Sequence, residues 1–334
     1  MFGLAKSTRQ SPRDYASCSG CGLCLLVCPV WRAHRDIGLT PLGRAKALQH
    51  GAAAADIAAS IQSCTLCAAC EPVCPEDIGL VEMTLNLRRR LPPSAAAQDL
   101  LARMDEQATR PHAPRASSPA VLLPARGLRE RPATLARAAA LLGGAGNISI
   151  VDDDGADIAL ALEAGAAVPA LRLERFLQPL RGLRKIVVAD GLLLRQLRQW
   201  LPRSKIVSLG EALSDLAGVR RALGAGDLYV IEPRAYHADY QRLVKHYDAL
   251  RTDRGCTLNL DLQRIAIPAT ARSLPQRLGL AAIDDEVQAR WILQGRNATR
   301  IVVESVEDGA AFEKVSACAV VHLADLADDG IWSK

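Results

Sequence analysis

The sequence predicts a chain of the α + α/β class, with a helical N-terminal domain followed by a duplicated α/β domain. Eight of the ten cysteines lie in two short runs near the N-terminus, and alanine and leucine dominate the spacer between the runs. Beyond residue 119, short apolar runs alternate with longer stretches of helical spacing, which is typical of a parallel sheet covered by helices. Similar segments recur 114 to 115 residues apart in this half, as a duplicated domain requires.

Composition and charge narrow the classes of protein to consider. The 334 residues suffice for several domains, and 49% hydrophobic with 23% charged residues is a globular composition. The net charge of +5 is spread along the chain: residues 1–118 have 13 basic and 10 acidic side chains, and residues 119–334 have 28 and 26. Without a concentrated basic face, the sequence predicts no binding of nucleic acid.

The apolar residues give no membrane or export signal. Residues 1–17 lack the apolar core of a signal peptide, and no uninterrupted apolar run approaches the roughly 18 residues of a transmembrane helix. The expected location is the cytoplasm, including the inner face of the membrane for a peripheral subunit. Cysteines in that reducing compartment act as ligands or free thiols rather than as disulfides.

The two cysteine runs share one spacing. "CSGCGLCLLVCP" begins at Cys18 and "CTLCAACEPVCP" begins at Cys64, and proline follows the fourth cysteine of each. This spacing is typical of ferredoxins with two 4Fe-4S clusters, in which the last cysteine of each run binds the cluster held by the other run. A pair of structural zinc sites is the alternative, although such sites use paired C-x-x-C knuckles.

The sequence therefore predicts two 4Fe-4S clusters and two sets of cysteine ligands. The first thiol set is Cys18, Cys21, Cys24 and Cys74. The second thiol set is Cys64, Cys67, Cys70 and Cys28.

The remaining elements of the N-terminal half are predicted to be helical. Thr40 before Pro41 has the pattern of a helix N-cap and first turn. After Cys74, the residues Ile78, Val81 and Leu85 fall on one helical face. These patterns predict a two-cluster ferredoxin domain over residues 1–91 and a linker around one short helix over residues 92–119.

The α/β half is predicted to contain two repeats, over residues 120–225 and 226–334. "KIVVAD" recurs as "RIVVES", and "KIVSLGEAL" recurs as "AVVHLADLA". Strands are expected in the apolar runs at 121–124, 148–152, 185–190, 205–209, 228–232, 265–269, 300–305 and 319–323.

The two cysteine runs, the "TPLGRAKAL" segment between them and the duplicated α/β half resemble one family. It comprises the iron–sulfur subunits of glycolate oxidase, anaerobic glycerol-3-phosphate dehydrogenase and related lactate dehydrogenases, which are fused heterodisulfide reductase C- and B-type modules. The resemblance implies an electron-transfer subunit that serves an FAD-dependent dehydrogenase of the 2-hydroxyacid type. Quinone, reached through a membrane subunit, or another acceptor would receive the electrons, and no substrate site or catalytic residue is expected on this chain.

The chain departs from that family where the family's repeats have cysteine-rich CCG motifs. The corresponding segments contain no cysteine and read "PAR" (124–126), "DDDG" (152–155), "ADGLL" (189–193), "EPR" (232–234), "IPAT" (267–270) and "SVED" (305–308). No third cluster is expected, because thiolate ligands are missing. The α/β half is interpreted as a scaffold that holds the clusters within transfer distance of the flavin.

Two alternative functions remain open. A catalytic subunit like that of heterodisulfide reductase requires iron or thiol chemistry in residues 120–334, which the missing cysteines disfavour. A redox-sensing or assembly protein would have labile clusters and no turnover with a flavoprotein.

Several polar and thiol side chains outside the two runs are expected to have ordinary roles. Cys256 and Cys318 have no partner at ligand spacing and are interpreted as buried or free thiols. His237 and His246 lie in a charge-rich helical stretch and are expected to be solvated. The same holds for Arg44, Lys46 and the basic residues 88–90, with guidance of an acidic redox partner as the alternative.

Overall fold

The computed structural model describes residues 13–109, 118–143, 148–270 and 284–326. These ranges contain helices and two four-stranded parallel sheets, which confirms the predicted mixture of helical and α/β structure. The termini and the segments between these ranges lie outside the described residues.

Short helices and turns form the N-terminal region. The helices are α1 (Leu23–Leu26), α2 (Pro29–His34), α3 (Pro41–Gln49), α4 (Ala58–Ser63) and α5 (Leu80–Arg88), with 3-10 turns at Tyr15–Ser17, Ile37–Leu39 and Ala54–Ile57. The predicted cap of α3 is confirmed: the Thr40 hydroxyl accepts a hydrogen bond from the Gly43 amide at 3.3 Å, and Pro41 occupies the first helical position.

Helix α5 joins two cores. Leu80 and Leu87 pack with Ile61 in the core of the N-terminal region. Val81 and Leu85 instead pack into the core of the first α/β repeat. The apolar residues of α5 thus connect the cysteine-rich region to the rest of the chain.

The segment predicted as a linker is mostly a packed helix. Helix α6 (Ala95–Thr109) is 15 residues long, and Leu100 and Met104 are buried in the core of the first α/β repeat. The sequence predicts one short helix within a linker here, and the apolar side chains of that helix cover the sheet. Residues 110–117 of the predicted linker lie outside the described residues.

The two sheets have the same topology. The first contains β1 (Ala120–Leu123), β2 (Ile148–Ile150), β3 (Lys185–Val188) and β4 (Lys205–Ser208) in the order β2-β1-β3-β4. The second contains β5 (Asp227–Val230), β6 (Thr257–Leu258), β7 (Arg300–Val303) and β8 (Ala319–His322) in the order β6-β5-β7-β8. The recurring sequence segments lie on equivalent strands, β3 with β7 and β4 with β8.

Helices cover both sheets. In the first repeat they are α7 (Arg126–Arg129), α8 (Pro132–Gly143), α9 (Ala156–Ala164), α10 (Ala170–Leu177), α11 (Gly191–Trp200), α12 (Leu209–Ser214) and α13 (Ala217–Ala222). In the second repeat they are α14 (Pro233–Ala238), α15 (Tyr240–Arg254), α16 (Asp285–Leu293) and α17 (Val306–Glu313). Further 3-10 turns lie at Gln178–Leu180 and Leu323–Asp325.

The strand predicted over 265–269 is wrong. The strand of this region is β6, and Ala266 forms only an isolated antiparallel bridge with Leu260. The Asn259 side chain exchanges hydrogen bonds with the Ile231 backbone and donates another to the Ile267 carbonyl. These hydrogen bonds occupy backbone groups that would otherwise pair with a longer strand, so β6 ends after two residues.

The two repeats pack closely through α11 and α14. Gly191 begins α11, and a Cβ atom at this position would lie 2.4 Å from Glu232 Oε2 and 2.5 Å from the Ala235 amide nitrogen. The contact therefore requires glycine. It brings the carboxyl ends of β3 and β5 together.

Candidate functional site

The eight cysteines of the two runs line two separate cavities. One cavity is lined by Cys18, Cys21, Cys24 and Cys74. The other is lined by Cys28, Cys64, Cys67 and Cys70. Each run therefore contributes three thiols to one cavity and its fourth thiol to the other.

The two cavities are neighbours of similar size. Each has a cavity volume of about 20 Å³. Pro41 and Leu80 line both. Within the described ranges, no three His, Cys, Asp or Glu side chains converge closely enough to hold a single metal ion.

Both cysteine loops use the same backbone conformation. In the first run, Gly20 and Gly22 flank the second cysteine with φ values of 83° and 77°. In the second run, Leu66 and Ala68 occupy the equivalent positions with φ values of 54° and 60°. Left-handed conformations on both sides of one residue curl the loop around its cavity, and glycine adopts them most easily.

The two sites differ in their access to solvent. Cys21 of the first thiol set is exposed, whereas Cys28 and Cys67 of the second set are buried. Two apolar side chains elsewhere in the N-terminal region, Leu26 and Ile37, are also exposed, by 62% and 50%. The first site therefore lies at the surface, and the second lies inside the molecule.

Burial opposes ionisation of most of these thiols. It raises the pKa of Cys24 to about 11 and that of Cys28 to about 12, and it raises the pKa of Cys67 and Cys70. Thiolate, rather than thiol, is the form that binds metal. A buried set of this kind therefore needs positive charge nearby.

Two buried arginines supply positive charge at the second site. Burial raises the pKa of Cys64, but the charges of Arg44 and Arg88, with hydrogen bonds from the Leu66 amide and the Thr84 side chain, together bring this pKa below its ordinary value. Both side chains are almost fully buried, with exposures of 1% and 2%. The expectation that Arg44 and Arg88 are solvated is wrong, whereas Arg89 and Arg90 are exposed.

Arg88 binds backbone carbonyl groups of the surrounding loops. Its guanidinium donates to the carbonyl oxygens of Ile61, Cys64 and Glu163, the last two at 2.6 Å. The position of Arg88 in a basic triplet suggested solvation. The signal for burial was its spacing, because Arg88 follows buried Val81 and Leu85 at helical intervals on α5.

His237 is also buried, which overturns its predicted solvation. The Ala266 amide donates to His237 Nε2 at 3.2 Å, so the proton lies on Nδ1, which donates to the Cys67 carbonyl at 2.7 Å. Burial lowers the pKa of His237 to about 4, and the ring is neutral near pH 7. His246, by contrast, is half-buried and forms a hydrogen bond with Ser214 Oγ at 2.9 Å.

The α/β half holds the second cysteine loop through two further arginines. Arg234 of α14 donates to the Thr65 carbonyl at 2.7 Å. Arg195 of α11 forms a two-point pair with the Glu71 carboxylate at 2.7 and 3.0 Å. With the His237 contact, three side chains from α11 and α14 fix this loop.

The first site has one cationic neighbour of a different kind. Lys46 is half-buried, and its Nζ donates to the Cys18 carbonyl at 3.0 Å and to Gln49 Oε1 at 2.8 Å. The Gln49 amide donates to the same carbonyl at 3.0 Å. Lys46 was expected to be solvated, but it fixes the start of the first cysteine loop.

The segments that correspond to CCG motifs meet beside the second site. A cavity at the carboxyl ends of the strands is lined by Cys67 and by Ala125, Asp190, Glu232, Thr270 and Asp308, which lie in five of those segments. Burial raises the pKa of Glu232 to about 8 and that of Asp308 to about 6.

The two remaining cysteines lie apart from these cavities. Cys256 is buried in the core shared by the two repeats, and burial raises its pKa to about 11. Cys318 donates from its thiol to the Ala298 carbonyl at 3.0 Å. Neither thiol lines a cavity described above.

Comparison with known families identifies the N-terminal region. Residues 14–78 match the 4Fe-4S dicluster domain family, and this match contains both cysteine runs. No curated protein and no solved structure shows a significant match to the chain. In the described part of the chain, no helix has both the length and the apolar composition needed to cross a bilayer. The domain match favours iron–sulfur chemistry and electron transfer over the zinc alternative.

Proposed function

We propose that this iron–sulfur protein is the electron-relay subunit of a larger oxidoreductase, with one 4Fe-4S cluster in each thiol set. The observation that supports this most directly is the arrangement of eight thiols around two neighbouring cavities, with the two runs exchanging their fourth cysteines. By its resemblance to the glycolate oxidase family, the donor is an FAD-dependent dehydrogenase of the 2-hydroxyacid type. Quinone, reached through a membrane subunit, or another acceptor receives the electrons.

The residues present suit such clusters. Each cavity offers four sulfur donors, as a cubane requires. The second cavity also has an unpaired buried donor, Arg44 Nε, among the residues that line it. When bound, each cluster supplies a site that takes up and gives back a single electron.

The chain's own residues keep the two sites close to each other and shield the second site from water. Pro41 and Leu80 form the partition between the cavities. Val81, Leu66 and Ala69 give the second cavity an apolar lining. The exposed edge at Cys21 makes the first site the point of contact with the flavoprotein, and the second site lies toward the α/β half.

Metal analysis of the full chain, purified without oxygen, tests the clusters. We expect about eight irons and eight acid-labile sulfides per chain, the content of two cubanes. A colourless, iron-free chain would contradict the proposal. A content near twelve would show a further cluster in the α/β half.

Isolation of the native complex under anaerobic conditions tests the partner. We expect a flavoprotein to remain bound, and its substrate to reduce the clusters when added to the complex. A complex without flavin, whose clusters no 2-hydroxyacid reduces, would contradict this assignment of the donor.

A further inference from the structure

Arg44 has an unsatisfied donor at the second site. Its Nη1 donates to the Ser60 carbonyl at 2.7 Å and to the Leu39 carbonyl at 3.2 Å, which anchors one side of the guanidinium. The buried Nε has no hydrogen-bond partner among the described residues. A buried donor on a charged group is almost always paired in native proteins, so its acceptor is to be sought in what the structure does not contain.

The position of Arg44 indicates where this acceptor lies. Arg44 lines the second cavity together with Cys28 and Cys64. The unpaired donor therefore belongs to a side chain that borders the same cavity as the sulfur atoms of the second thiol set.

Arg88 and Lys46 provide the contrast. Arg88 is equally buried near Cys64, but its guanidinium donates to loop carbonyls through Nε and both terminal nitrogens. Lys46, two residues beyond Arg44 on α3, donates to the Cys18 carbonyl and to Gln49. Both of these side chains bind the protein itself, whereas Arg44 retains a donor for something else.

We propose that Arg44 Nε–H donates a hydrogen bond to a sulfur of the cluster in the second thiol set, and that Arg44 thereby raises the reduction potential of this cluster above that of the first. This inference rests on the proposed function. Reduction adds one electron and one negative charge to the site, with no bond broken and no proton taken up. Hydrogen bonds to sulfur and nearby positive charge stabilise the reduced form more than the oxidised form.

The consequence is a direction for electron flow. Without compensation, burial of the second site would disfavour the additional negative charge and make this cluster the harder one to reduce. Arg44 reverses that order. Electrons that enter at the exposed first site then pass to the buried second site and remain there until the acceptor takes them.

Redox titration of the cluster-loaded full chain, followed by EPR, tests the inference with Arg44→Met. This change removes the charge and the donor but keeps a side chain of similar length. We expect the equilibrium constant for electron transfer between the two clusters to change at least tenfold in favour of the first cluster. This change corresponds to a shift of about 59 mV in the difference between their reduction potentials, for a one-electron couple. Arg89→Met, which removes an exposed arginine at the C-terminal end of α5 and makes the same change of residue type, is the control and is expected to leave the equilibrium between the clusters unchanged.

A spectroscopic measurement separates a direct hydrogen bond from a structural effect. In the wild type, the reduced second cluster is expected to show coupling to a proton that exchanges in D2O, and Arg44→Met is expected to remove it. If Arg44→Met loses iron, Arg44→Lys provides the test, because it keeps the charge but moves the donor. Unchanged potentials in the iron-replete variant would overturn the inference, whereas iron-free wild-type protein would overturn the proposed function instead.

Discussion

Leu66 and Ala68 have left-handed backbone conformations, and the equivalent positions of the first cysteine run are glycines. Such a conformation costs a non-glycine residue about 1–2 kcal/mol. Leu66 is 2% exposed and packs into the core of the first α/β repeat, and burial of a leucine side chain stabilises by about 1.5–3 kcal/mol. The shape of the second loop is therefore maintained by its surroundings, whereas glycine permits the shape of the first loop.

Gly22→Ala tests this comparison in the first loop. A Cβ atom at Gly22 meets only Leu25 Cδ1, at 3.9 Å, so backbone strain is the main effect. We expect a loss of about 1 kcal/mol, seen as a fall of about 2 °C in the thermal midpoint, with the iron content unchanged. Gly143→Ala, at a helical position with space for a methyl group, is the control and should not lower the midpoint.

Glu232 makes stability depend on pH. Its carboxylate caps α14 by accepting from the Arg234 and Ala235 amides, yet burial raises its pKa to about 8. The folded state therefore binds a proton that the unfolded state releases at lower pH. The stabilisation from this proton is complete below the unfolded pKa near 4.5 and is lost as the pH rises toward 8.

Glu232→Gln removes this titration while keeping an acceptor for the helix cap. We expect the variant to gain stability relative to the wild type between pH 5 and pH 8, by an amount on the order of a few kcal/mol. Thermal midpoints of both proteins at the two pH values provide the measurement. An equal difference in midpoint between the two proteins at pH 5 and at pH 8 would contradict the prediction.

Single residues also mark the limit of prediction from sequence. The spacing of the cysteines, and with it the division into two thiol sets, was available from the pattern alone. For Arg88, the helical spacing on α5 was the one signal of burial. The burial of Arg44 and His237 had no such signal, because a charged side chain is assigned to solvent unless its partners are known. Those partners are backbone carbonyls and thiols distant in the sequence, which only the fold brings near.

At the scale of elements, each cysteine run spans both sites. Helix α1 lies within the first run at the first cavity, and Cys28 is the N-cap of α2 at the second cavity. The second run begins at the second cavity and ends with Cys74 at the first. Folding of either site therefore requires both runs.

Cys28→Ser is expected to damage the cluster of the second thiol set, although Cys28 belongs to the first run. Cys74→Ser is expected to damage the cluster of the first set for the same reason. Each variant should retain about four of the eight irons of two cubanes. The EPR spectrum of the reduced protein should lack the signal of the second cluster in Cys28→Ser and the signal of the first cluster in Cys74→Ser. Loss of the same signal in both variants would contradict crossed ligation.

Elements with strong local patterns were predictable, and elements set by distant contacts were not. The cap of α3 and seven of the eight expected strand locations, among the described residues, agree with the sequence patterns. The prediction of a strand at 265–269 was wrong because a short buried apolar segment has the same sequence pattern in a strand and in irregular core structure. Helix α6 was predicted as one short helix within a linker, but its packing on the sheet through Leu100 and Met104 was not predicted.

At the scale of the whole molecule, the α/β half forms part of the second site. Helices α11 and α14 supply Arg195, Arg234 and His237, which bind the second cysteine loop from positions far along the chain. From the sequence, this half is interpreted as a scaffold that holds the clusters near a partner protein. The contacts add a role within the chain, which is to hold the Cys64–Cys70 loop in place.

Arg195→Gln tests this role. The change removes the two-point pair with Glu71, which also accepts a hydrogen bond from the Val81 amide at the start of α5. Hydrogen bonds to charged groups contribute about 1.5–3 kcal/mol, so we expect the second cluster to lose iron to a chelator faster than in the wild type. Arg181→Gln, which breaks a solvent-exposed pair with Glu174, is the control and should leave the rate unchanged.

The wall shared by the two cavities bears on how the protein meets its donor. A flavin that oxidises an alcohol holds two electrons, whereas an iron–sulfur centre accepts one at a time. Pro41 and Leu80 line both cavities, so two clusters bound there would be neighbours with room for both electrons. If the donor is the flavoprotein proposed above, it would then be emptied of both electrons in a single encounter.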